Sequence, residues 1–81
     1  MEGRWDEAIV ANKSIIEIFP NDINAYNRLG KALTEVGLYS QAREAYSEAL
    51  KIDPKNSIAS RNLRRLSLLK EAQKEQKKKN K

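Results

Sequence analysis

The side chains of this 81-residue chain best equipped for chemistry are amides and cations. Asn24, Asn27, Arg28 and Lys31 fall in one stretch, and Arg61, Asn62 and Arg65 in another. Amides can bracket a peptide backbone, and a guanidinium can grip a carboxylate through two parallel N–H bonds. Arg61 and Arg65 are four apart, so on a helix they share one face and can act on one carboxylate cluster. That is binding chemistry. Catalysis has less to work with. The chain has no Cys and no His, so the usual nucleophile–base pairs are missing. Ser14, Ser40, Ser47, Ser57, Ser60 and Ser67 have no imidazole to activate them. The neighbouring carboxylates Asp6/Glu7 and Glu44/Glu48 read as solvated helix surface. The three glycines are scattered and form no phosphate loop, and no stretch has the calcium-loop pattern. The chain is therefore expected not to be an enzyme, with no cofactor and no metal site.

Charge is unevenly spread. Sixteen Lys and Arg stand against eleven Asp and Glu, a net of +5. Residues 1–56 hold seven basic and nine acidic side chains (7 − 9 = −2), while residues 57–81 hold nine and two (9 − 2 = +7). The Lys-rich end invites two readings. One is electrostatic contact with nucleic acid or an anionic membrane. The other is a solubilising, disordered tail over residues 76–81. The tail has no aromatic residue to stack on bases and no Trp, Phe or Leu beside the Lys run to enter lipid. The second reading is preferred, and a weak nucleic-acid or membrane adaptor is kept as an alternative. No 18-residue apolar run exists, so no transmembrane segment is expected. Met1 to Arg4 lead into no signal-peptide core, and the expectation is a cytoplasmic protein.

The elements that must position the binding residues are helices. Small or apolar residues recur at Ala25, Leu29, Ala32, Leu33 and Val36, which is helical spacing. Gly37 stands where a helix needs a left-handed terminating residue. A second helical pattern runs through Ala42, Ala45, Tyr46, Ala49 and Leu50, and Pro54 stops it. About three residues separate the two, so the helices run antiparallel as an αα-hairpin. Gly30, Ala42 and Ala49 are small where the helices must approach closely.

Residues 23–56, INAYNRLGKALTEVGLYSQAREAYSEALKIDPKN, thus carry Tyr26-x-x-Leu29-Gly30, Ala42-x-x-x-Tyr46, Ala49 and Pro54. This order and spacing resembles the tetratricopeptide repeat, a helix–turn–helix unit of about 34 residues. Tyr26 stands where Trp is commonest, Leu33 where Tyr is, and Tyr46 where Phe is; each keeps a bulky side chain. The resemblance implies a scaffold that holds a partner protein or peptide. It also implies that the first helix of each unit lines a concave surface. Asn24, Asn27, Arg28, Lys31 and Thr34, with Glu35 at the edge, would face that groove, as would Ile58, Arg61, Asn62, Arg65 and Leu68. The excess of positive charge suits an acidic partner. Some family members grip a C-terminal carboxylate with a Lys/Asn/Arg clamp. Here Asn27 precedes Lys31, the reverse of the clamp order, and Ile58 stands where a clamp cation is expected. The clamp is not carried over.

Residues 1–22 echo the second half of that unit at a 34-residue offset: Gly3 with Gly37, Trp5 with Tyr39, Ala8 with Ala42, Ile18 with Ile52, Pro20 with Pro54. They read as the second helix of a partial repeat, with Asp6 as N-cap, as Ser40 is for the later helix. Trp5, Ala8, Ile9, Ala11, Ile15, Ile16, Ile18 and Phe19 cover about half of this helix, more than a one-sided surface helix needs. Either the chain belongs to a longer array or another surface covers the second side. Self-association through the face bearing Trp5, Ile9 and Ile16 is the rival function, a homodimer. After Pro54 a third unit starts, with Ala59 for Ala25 and Leu63 for Leu29, and then decays. Arg64 replaces Gly30, Leu66 replaces Ala32, and no second helix follows, so 57–75 reads as a capping helix. The expected fold is all-α: antiparallel helix–turn–helix repeats, an α-solenoid fragment, with four helices near 5–19, 22–36, 40–53 and 57–75.

Overall fold

The computed structural model describes residues 2–79, with side chains described over residues 4–69. Four helices follow in order: α1 Glu2–Ile18, α2 Ile23–Glu35, α3 Tyr39–Ile52 and α4 Ser57–Lys79. No strand occurs among the described residues. The expected end near Glu75 and the expected disorder of 76–81 lie outside the described side chains.

Each junction has a local cause. At the end of α2, Gly37 takes φ +86°, where any other L residue would be strained. Its N–H donates to Thr34 O at 3.0 Å, and that of Leu38 to Leu33 O at 2.9 Å. This is the paired bonding of a Schellman C-cap, which satisfies two orphan carbonyls. At the start of α2, Asp22 Oδ1 accepts from the N–H of Ala25 at 3.1 Å. At the start of α4, Asn56 Oδ1 accepts from the N–H of Ala59 at 2.9 Å. Side-chain caps therefore fall at Asp22 and Asn56, one repeat apart (56 − 22 = 34). The expected caps Asp6 and Ser40 are corrected: both lie inside helices, and the residue before α3 is Leu38, which makes no side-chain cap bond.

The helices stack in sequence. α1 packs on α2, α2 on α3 and α3 on α4, with a lighter contact between α2 and α4. Small residues make the close approaches: Ala25, Ala32, Ala42, Ala49 and Ala59 are fully buried. Leu29, Leu33, Tyr46 and Leu66 fill the space between them. A side chain that lost its burial here would forfeit about 1.5–3 kcal/mol of transfer energy.

On α1 the residues of the expected self-association face are partly buried. Ile9 and Ile16 pack against the core, and Trp5 is half-buried. All three residues keep part of their surface exposed. The exposed apolar residues of this region are Val10 at 66%, Ile18 at 70% and Phe19 at 62%. A helical wheel measures how much apolar surface a helix carries, and not which side its neighbour takes.

Candidate peptide-binding groove

α2 and α4 flank a concavity of about 740 Å³. α2 lines it with Asn24, Asn27, Arg28, Lys31, Thr34 and Glu35; α4 lines it with Ile58, Arg61, Asn62, Arg65 and Leu66. The hairpin sets this up, because α3 turns the chain back and returns α4 to the side of α2. All seven amides and cations singled out in the sequence reach this one surface: Asn24, Asn27, Arg28, Lys31, Arg61, Asn62 and Arg65. Leu68 does not line it and is 65% exposed.

Tyr46 of α3 forms part of the lining and is almost wholly buried. Its ring occupies the space left by the missing side chain of Gly30. Burial pushes its phenol above the ordinary value of 10.0; Arg65 nearby pulls it down and Glu35 raises it further. In the sequence Tyr46 reads as a hairpin residue and Leu66 as part of the capping helix, and neither reads as groove lining. The available signals were Gly30, which opens the wall of α2, and Ala32, whose repeat position Leu66 occupies with a larger side chain.

The polar side chains divide into held and free. Asn27 is buried, and its Nδ2 donates to Asn56 Oδ1 at 3.2 Å. That oxygen already accepts the cap bond from Ala59, so Asn27 must present its NH2 to it. Asn27 Oδ1 is then buried with no partner among the described residues. Arg28 Nε donates to Asn12 Oδ1 at 3.1 Å, across to α1. Lys31 Nζ stands 5.9 Å from the ring centroid of Trp5, within cation–π range. Thr34 Oγ1 donates to Gly30 O at 2.7 Å, and Asn62 Nδ2 to Ile58 O at 2.8 Å, so both are turned onto their own helices. Arg61 and Arg65 are exposed. Four cations and one carboxylate line the groove, a local net of +3 (4 − 1).

The groove presents guanidinium and ammonium donors, the chemistry that pairs with carboxylates. Among the described residues no group of His, Cys, Asp and Glu could hold a metal ion. Among them, too, no helix is long and apolar enough to cross a membrane. Asp6, Glu7 and Glu44 are exposed, and Glu48 pairs with Lys51 at 3.0 Å on the surface of α3.

Antiparallel hairpins stacked so that alternate helices line one concave face define a helical-repeat module. The family model described as the tetratricopeptide repeat matches residues 23–56. The chain carries that repeat and belongs among the tetratricopeptide-repeat proteins. It is similar to the small glutamine-rich tetratricopeptide repeat-containing protein 2 of Mycosarcoma maydis, 39% identical over 61 residues. The match covers 75% of this chain and 17% of that relative. A protein-interaction role follows from the repeat.

Proposed function

We propose that the chain holds a partner protein by laying an acidic segment of it across the groove between α2 and α4. One observation supports the reading: four cations, Arg28, Lys31, Arg61 and Arg65, line this one groove with a single carboxylate, Glu35. Arg28, Lys31, Arg61 and Arg65 supply the charge that draws carboxylates. The exposed pairs gain strength as the partner displaces water, since ion pairs in open solvent are worth little.

The test is the double reversal Arg61→Glu with Arg65→Glu, folding being checked by circular dichroism. Affinity for an acidic peptide should fall sharply. The control is Arg4→Glu with Lys55→Glu, two exposed cations outside the groove lining. Equal losses from both would mean that net charge attracts the partner, and would sink the reading. Self-association is the rival, favoured by the exposure of Val10, Ile18 and Phe19. Sedimentation at tens of micromolar, showing monomer alone, would rule against it.

A further inference from the structure

α1 lines no part of the groove, yet two of its side chains meet groove cations: Asn12 meets Arg28, and Trp5 meets Lys31. Asn12 is only 6% exposed. Its Nδ2 donates to Ala8 O at 2.8 Å, and its Oδ1 accepts from Arg28 Nε at 3.1 Å. A carbonyl only accepts and a guanidinium only donates, so this amide has a single orientation that satisfies both. A buried amide that lost one partner would keep its desolvation cost, which holds the arrangement in place.

The bond decides what Arg28 can offer. A guanidinium takes a carboxylate either side-on, through Nε and one Nη, or end-on, through its two Nη groups. Asn12 occupies Nε, which leaves the end-on fork. In the repeat register Asn12 stands where Tyr46 stands one unit later (46 − 12 = 34). Tyr46 fills the gap at Gly30, whereas Asn12 reaches across to the next helix and holds a cation.

We propose that Asn12 is a positioning residue. It fixes Arg28 end-on toward a carboxylate of the bound segment and makes Arg28 the point that sets the segment's register, while the exposed Arg61 and Arg65 adapt to it. The proposal rests on the acidic-partner reading.

A double-mutant cycle on the full chain tests it, with a fluorescein-labelled hexaglutamate peptide as probe and anisotropy as readout. Asn12→Leu, which keeps the branching at Cγ but has no acceptor, should weaken binding about tenfold in the parent and less than about twofold when Arg28→Ala is already present. Equal losses in both backgrounds would show that Asn12 serves the fold alone, and would overturn the proposal while leaving the acidic groove intact. Should Asn12→Leu fail to fold, Arg28→Lys decides the matter: it keeps the charge without the fork. It should lose about as much as Arg28→Ala, and full affinity in Arg28→Lys would overturn the proposal. A parent chain that does not bind the peptide overturns both readings together.

Discussion

Gly30 and Tyr46 share one space. A Cβ built on Gly30 would lie 2.6 Å from Tyr46 Cζ and 2.7 Å from Cε2, closer than real side chains come. The glycine in the middle of α2 is therefore there for the ring of α3, and it forgoes helix propensity to admit it.

Gly30→Leu should overpack this contact and cost about 1–3 kcal/mol. Thermal unfolding followed by circular dichroism reads the loss. In a Tyr46→Leu background the same substitution should cost less, because the shorter side chain can give way. A Gly30→Leu protein that melts like the parent would contradict the close packing of α2 on α3.

The two caps should differ in cost. Asp22→Ala removes one capping bond and should cost about 0.5–2 kcal/mol. Asn56→Ala removes the cap of α4 and also the acceptor for buried Asn27 Nδ2. The stranded amide adds its own desolvation penalty. Urea unfolding should place Asn56→Ala below Asp22→Ala in stability, and the reverse order would argue that the Asn27 bond contributes nothing.

Alkaline pH should destabilise the fold through Tyr46. Its phenol is raised above 10.0 by burial, so the unfolded chain ionises first. The stability that depends on the neutral phenol is fully present below the unfolded value. It is lost as pH rises from there through the folded value. Stability measured in urea should hold steady below pH 9 and fall above about pH 10. Tyr46→Phe should show a shallower fall than the parent, and an identical slope would place the alkaline loss elsewhere.

Much of the molecule was legible in its sequence because the repeat register ties each position to a role. Gly37, Gly30 and the buried alanines mark the hairpin, and the resemblance to the repeat is what sets Asn24 to Lys31 and Arg61 to Arg65 on one concave face. What escaped depends on a second helix. Asn12 looks like any polar residue until Arg28 is brought beside it. Asp6 and Ser40 have the chemistry of caps, but a cap is defined by where the helix begins, and α1 and α3 begin earlier. The register did hold the answer there, since Asp22 and Asn56 occupy equivalent positions.

Asn56 Oδ1 receives two donors, the first-turn N–H of α4 and the amide of Asn27 in α2. One atom thus joins the opening of the last helix to the wall of the groove. Coupling of this kind is reciprocal. Opening of the first turn of α4 would strip Asn27 Nδ2 of its acceptor, and a shift of Asn27 would leave the cap bond to Ala59 alone on that oxygen. The first turn of the last helix and the wall of the groove are in this sense a single joint, and neither can be loosened alone.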